Sequence, residues 1–295
     1  MLLRKNSQRQ LKTSVKSYSW FKMAMLFFAF ISLALGLGLV QSAMVSRQAF
    51  WSRVEQYLNF ANPNYRFVHI YPGMRREEII EKYTNILGWD EKDKQWFIAS
   101  APSNTVSGSY IDGYFLPKSY VVDKDASGQE VGKMMRNEFD LAVQEKVIDK
   151  LPKSKTDPEG ESVISLDTAV RIASLIQREA AGKHDMRLIS GIMWNRIFTG
   201  MKLDIDATLQ YAKGTPEDWW PQVTGKDKYL KSPFNTYQNK GLPPAPISNP
   251  SLDAIAAAYN PQKTDCLFYL HDDDRQIHCT KTYEEHKANV EKYLK

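Results

Sequence analysis

The chain has 295 residues, with 39 Lys and Arg against 34 Asp and Glu, 43% apolar residues and two cysteines. That length holds one large or two modest domains, and the composition excludes a disordered chain, a collagen-like repeat, a disulfide-dense miniprotein and a polytopic membrane protein. Six cations (Arg4, Lys5, Arg9, Lys12, Lys16, Lys22) fall in the first 22 residues, the first acidic residue is Glu55, and the remaining 33 basic residues balance the 34 acidic ones, so the net charge of +5 marks one end of the chain and not a nucleic-acid surface.

Residues 1–22 form this basic tail. Met23 to Val40 then carries no charge, and the uncharged run continues until Arg47. About 20 such residues in a helix cross a bilayer core, so residues 23–43 read as a single membrane anchor. Tyr18, Trp20 and Phe21 would sit at the near headgroup layer, and Phe50 and Trp51 at the far one. The positive-inside rule places the N-terminus in the cytoplasm and the bulk of the chain outside it. A cleaved signal peptide would need an A-x-A-like site, which Val40-Gln41-Ser42 does not supply.

Arg47 to Asn64 reads as a stalk. From residue 65 the pattern is a strand over Arg66–Tyr71, a Pro72-Gly73 turn, a helix through Met74, Ile79, Ile80 and Tyr83, and a second helix around Asp90–Ala99. With a returning strand this makes a small α+β module over 65–110. Ala101 to Ser109 is turn-rich, IDGYFLPKSYVV (111–122) is a strand-like aromatic run broken by Pro117, and Val131–Leu151 reads as helical. Lys153 to Glu161 is the best boundary, which leaves 111–160 as a connecting segment and 161–295 as a second domain. The Arg75-Arg76 pair and the lysines of 226–231 read as solvated charge.

In the second domain, Ser165 is a candidate N-cap and Gly182 a C-terminal stop. Between them Ala169, Ile172, Ala173, Leu175, Ile176 and Ala180 form an apolar stripe at about 100° per residue. Glu179 lies inside that stripe. Burial and the negative end of the helix dipole both raise the pKa of a carboxyl placed there, which suits a general acid at neutral pH. A Glu bending out into solvent is the plain alternative. Further along, LDIDATL (203–209) reads as a strand, and Asn249 and Pro250 as the cap and first residue of a helix. Thr282 and Glu285 form a capping box for the last helix. Trp219-Trp220 could stack on sugar rings or pack in a core.

Cys266 and Cys279 flank two short strands around an Asp-rich turn. A turn centred between Asp272 and Asp273 would set them opposite each other, so either a disulfide or two unpaired thiols fits. A zinc site that adds His271 and His278 is disfavoured, because adjacent strand residues 278 and 279 point to opposite faces.

Taken in order, IDGYFLPKSY (111–120), ASLIQREA (173–180), Asn195-Arg196 with Gly200-Met201, DAT (206–208), SPFNTY (232–237), GLPPAPISNP (241–250) and TKTYEEH (280–286) resemble the endolytic murein transglycosylase (YceG-like) family from about Phe67 onward. The resemblance implies an α+β fold with a LysM-like subdomain over 65–110 and a catalytic domain over 161–295. It implies one catalytic Glu, which maps to Glu179, and substrate-binding positions at Asp206, Thr208, Asn235, Tyr237 and Tyr114. Peptidoglycan glycan strands are the implied substrate and strand-synthesising enzymes the implied partners, with no metal or organic cofactor. Two rival readings are a muramidase-type hydrolase, using Asp204 or Asp206 beside Glu179, and a non-enzymatic tethered peptidoglycan-binding protein.

Overall fold

A computed structural model describes residues 62–100, 112–152 and 164–294. The chain divides into Met1–Pro63 and Asn64–Lys295. The basic tail, the anchor over 23–43 and most of the stalk lie outside the described residues, as do the turn-rich stretches 101–109 and 153–161. Among the described residues no helix is long and apolar enough to cross a membrane. The fold is α+β, with eight α-helices and two two-stranded sheets in the described residues.

Strand β1 (Tyr65–His69) pairs antiparallel with β2 (Ser119–Asp123), Tyr65 opposite Asp123 and His69 opposite Ser119. The returning strand thus lies beyond residue 110. Between the strands come α1 (Arg76–Leu87) and α2 (Glu91–Ala99), the latter capped by Asp90 accepting from Asp93 N–H. Helix α3 (Gly128–Lys146) follows, opened by a Ser127/Glu130 capping box. Its first turn needs glycine, since a Cβ at Gly128 would stand 1.9 Å from the Asp93 carbonyl oxygen. Val68, Ile79, Tyr83, Phe97, Phe115 and Met135 make the apolar core of this part.

A second apolar cluster surrounds α4 (Leu166–Glu179), capped by Ser165 Oγ accepting from Thr168 N–H. Ala169, Ile172, Ala173, Leu175 and Ile176 are fully buried, the stripe read from the sequence. Each Leu or Ile contributes about 1.5–3 kcal/mol on burial. Packed around α4 are α5 (Met186–Phe198), α6 (Asp206–Lys213) and α7 (Leu252–Tyr259). The chain ends in a hairpin, β3 (Phe268–His271) and β4 (Ile277–Thr280), and α8 (Tyr283–Tyr293), whose Thr282/Glu285 capping box is present.

Four local expectations are corrected. The α4 helix stops at Glu179, with Ala180 already extended (φ −71°, ψ 135°), ahead of Gly182. Residues 206–209 open a helix and not a strand, because Thr208 Oγ1 turns back to the Ile205 carbonyl and Thr208 N–H does the same. Ser251, not Asn249, caps α7, since the Asn249 side chain is engaged elsewhere. The hairpin register sets Tyr269 opposite Cys279, with Arg275 in the left-handed region at the turn (φ 61°). Cys266 therefore lies outside the ladder, yet it is bonded to Cys279 with the Cα atoms 5.8 Å apart.

The DGYFLP segment (112–117) is the seam between the two clusters. Successive residues of extended chain point to opposite sides: Phe115 enters the β1–β2 core, and Tyr114 and Leu116 enter the α4 core. Gly113 has φ +95°, and a Cβ there would meet Val170 Cγ1 at 2.5 Å. Asn249, fully buried, closes the seam. Its Oδ1 accepts from Gly113 and Phe115 N–H, and its Nδ2 donates to the Met74 carbonyl.

Candidate active site

Glu179 ends α4 half-buried, and its Oε2 accepts a hydrogen bond from the Tyr269 phenol at 2.6 Å. Burial pushes its pKa above the ordinary carboxylate range. The Tyr269 hydrogen bond opposes this, and the nearby Asp206 charge adds to it. The His271 imidazole and Arg178 guanidinium pull the other way, and burial prevails. The backbone just past Glu179 is fixed by Asp185, a buried carboxylate that accepts from Ala181 N–H (2.9 Å) and Gly182 N–H (3.2 Å). The same carboxylate holds His271 Nε2 at 2.8 Å. Tyr269 and His271 lie two residues apart on β3, so one face of that strand forms a wall beside Glu179.

Asp206 stands exposed at the start of α6, where the Tyr237 phenol donates to its Oδ1 at 2.6 Å. Burial and the Asp206 charge push the Tyr237 phenol well up, so it stays a donor. Glu179, Asp206 and Tyr237 are thereby brought together.

Thr208 and Asn235 stand one step behind. Thr208 is fully buried, with its hydroxyl on the Ile205 carbonyl (2.6 Å) and against Thr236 Oγ1 (3.0 Å). Asn235, also fully buried, donates to the Leu230 and Lys228 carbonyls and accepts from Tyr237 N–H at 2.8 Å. Both side chains shape the loop that presents Tyr237. Tyr114 is not brought to this group. Its hydroxyl donates to Asp167 at the opposite end of α4 (3.1 Å), twelve residues and about 18 Å of helix from Glu179.

Several contributors escaped the local sequence pattern. Arg196 Nε donates to the Leu267 carbonyl and its Nη1 to that of Leu203, which joins the hairpin base to the Asp204 loop. Asp204 itself has φ 54° and lies 3.5 Å from Arg196. Arg75, expected in solvent, is buried. It pairs with Glu77 at 2.7 Å, donates to the Tyr211 and Trp219 carbonyls and lies over both of their rings. Trp220 Nε1 donates to Glu78, Trp219 Nε1 donates to Glu81, and the Arg178 guanidinium sits 3.7 Å over the Trp220 ring. The tryptophan pair thus straps α1 to the end of α4. An apolar cleft of about 600 Å³ beside α5, lined by Trp194, Phe198 and Pro261, takes in none of the Glu179 group.

A family model described as YceG-like family matches residues 11–292. The chain belongs to the YceG-like family. It is 35% identical over 185 residues to an endolytic murein transglycosylase of Bacillus subtilis (strain 168), an alignment covering 62% of this chain and 48% of that one. It is 28% identical over 190 residues to an endolytic murein transglycosylase of Streptococcus pneumoniae serotype 2, covering 62% and 32%. The chain therefore spans about half the length of these curated relatives, or less. A crystal structure of a YceG-like protein from Listeria monocytogenes aligns with a TM-score of 0.62 and 26% identity, covering 75% of each chain.

Proposed function

We propose that this YceG-like chain is an endolytic peptidoglycan lytic transglycosylase with Glu179 as its single acid and base. The arrangement that carries the reading is a half-buried carboxyl of raised pKa at a helix end, with one oxygen held by Tyr269 and the Asp206–Tyr237 pair facing it. Protonated Glu179 donates to the glycosidic oxygen of the β-1,4 bond between N-acetylmuramic acid and N-acetylglucosamine as oxocarbenium character develops. Glu179, now a carboxylate, takes the proton from the C6 hydroxyl of the same muramyl unit. That hydroxyl attacks C1 and closes a 1,6-anhydro ring. The nucleophile is intramolecular, so no second carboxylate is needed to activate water. Asp206 and Tyr237 line the substrate side, while Thr208 and Asn235 hold the loop behind them.

The uncharged run 23–43 supports a single anchor with the catalytic domain outside the cytoplasmic membrane. The module over 65–110, with its returning strand at Ser119–Asp123, is read as a LysM-like subdomain, and strand-synthesising enzymes as partners. Tethering confines cleavage to new strands near the bilayer and so terminates their elongation.

The test incubates the full chain in detergent micelles with uncrosslinked glycan strands and reads new chain ends by mass spectrometry. Ends lighter by one water than hydrolytic ends, lost with Glu179→Gln by roughly 10²–10⁴-fold in rate, are expected. Reducing ends would instead favour a muramidase, for which the charge of Asp206 beside Glu179 offers a second carboxylate. Glycan binding without cleavage would leave a tethered binding protein.

A further inference from the structure

The two oxygens of the Glu179 carboxyl are not equivalent. Oε2 receives the Tyr269 phenol at 2.6 Å. A phenol that donates its only proton there leaves Oε2 as an acceptor. The hairpin that carries Tyr269 is held rigidly. Tyr269 lies directly opposite Cys279 in the ladder, Cys279 is bonded to Cys266, and the Cys266 carbonyl accepts from Asn195 Nδ2 on α5 at 3.1 Å. The next carbonyl, of Leu267, takes Arg196 Nε at 2.6 Å. On the same strand face, His271 is anchored on Asp185, and its ring meets that of Tyr269 edge-on at 6.1 Å.

We propose that Tyr269 is the positioning residue of Glu179: its phenol holds Oε2 as an acceptor, so the transferable proton sits on Oε1 and is presented to the substrate from a fixed direction. This deepens the transglycosylase reading and rests on it for the fate of that proton. A single group that must serve as acid and then as base gains from such a clamp. The proton leaves from and returns to the same oxygen, while the phenol stabilises the carboxylate formed in between.

The charged and titratable groups facing Glu179 come from four directions. Arg178 is on its own helix, Asp206 opens α6, Tyr237 stands in the loop after the 3₁₀ turn at Gly225–Tyr229, and Tyr269 and His271 are on β3. Of these, the Tyr269 phenol makes a direct hydrogen bond to the carboxyl.

The test labels the full chain with ¹³C at the glutamate carboxyls and follows the Glu179 carbon with pH in detergent micelles, assigned by its loss in Glu179→Gln. Tyr269→Phe keeps the ring and deletes the donor, so the titration should move to higher pH. Incorporating 3-fluorotyrosine at position 269 makes the phenol a stronger donor and should move it to lower pH. That second arm needs no loss of structure and stands even if the phenylalanine variant folds poorly. In glycan cleavage, Tyr269→Phe should lower kcat by roughly ten- to a hundredfold with KM unchanged. A Glu179 titration unmoved by either change, or moved in the same direction by both, overturns the assignment. Because the titration requires no glycan, a chain that leaves hydrolytic ends would overturn the transglycosylase reading and leave the hydrogen-bond assignment standing.

Discussion

At the scale of single residues, Glu179 works against its surroundings. Its carboxyl must give up a proton while lying where charge is costly, and burial outweighs Tyr269, His271 and Arg178 in setting its pKa above the ordinary range. An acid in that state is active when protonated, so kcat/KM should fall as pH rises through the raised pKa. Asp206 contributes to the elevation through its charge. Asp206→Asn removes that charge and lowers the pKa of Glu179, so the falling limb of the pH–rate profile should move to lower pH. An unmoved limb in steady-state assays across the pH range would show that Asp206 does not act on Glu179. Glu179 itself was legible in the sequence because a 3.6-residue period exposes a carboxylate in an apolar stripe. Tyr269 was not, because nothing local marks one strand tyrosine among the 15 tyrosines of the chain. Its meaning lies in a contact across 90 residues.

At the scale of elements, the terminal hairpin is too short to be stable alone, since isolated two-stranded sheets are marginal in water. It is held at its open base by the Cys266–Cys279 bond and by Asn195 and Arg196. Replacing both cysteines by serine reopens a loop of 13 residues' separation and should cost about 3 kcal/mol on chain-entropy grounds. Hydrogen exchange at residues 268–280 should accelerate while α4 keeps its protection, and glycan cleavage should fall with it. Equal acceleration in both elements would mean that the hairpin is no separate unit. The sequence allowed this disulfide without deciding it, and placed the turn near 272–273. The register shifted because Arg275 takes a left-handed conformation that no local residue preference announced. In the same way the DAT segment alternates like a strand, and its helical start follows from the turn of Thr208 back onto the Ile205 carbonyl, with the same hydroxyl paired to the distant Thr236.

At the scale of the whole described unit, two apolar clusters meet along a seam of buried polar groups. Asp112 lies there fully buried, accepting from Arg76 N–H at 2.6 Å and from the Tyr211 phenol at 2.7 Å. Burial, then the charge of Glu77, pushes its pKa up to about 6. A carboxyl raised in the folded state favours folding fully below its unfolded value near 3.9, and that contribution is lost as pH rises through about 6. Asp112→Asn does not titrate. The stability of the variant relative to the parent should therefore improve between about pH 4 and 7, by on the order of 2–3 kcal/mol. Urea denaturation at each pH reads this directly, and a constant difference would mean that Asp112 stays ionised throughout. Arg75, Asp112 and Asn249 were read as surface charge, part of a motif and a helix cap. All three instead join parts of the chain far apart in sequence, which no periodicity reports.

The reach of those bonds also sets an order of assembly during synthesis. Translation delivers α4, with Glu179 at its end, well before the strand that bears Tyr269. At about 5–20 residues per second, the intervening 90 residues take roughly 5–20 s to make. Asn249 must travel further back still, 175 residues, to reach Met74. Through that interval a nascent chain carries the acid without the β3 wall, and a helix of 14 residues is marginal until its packing partners arrive. Maturation of the site is thus a late event, completed when the last strands fold back onto a helix made long before them.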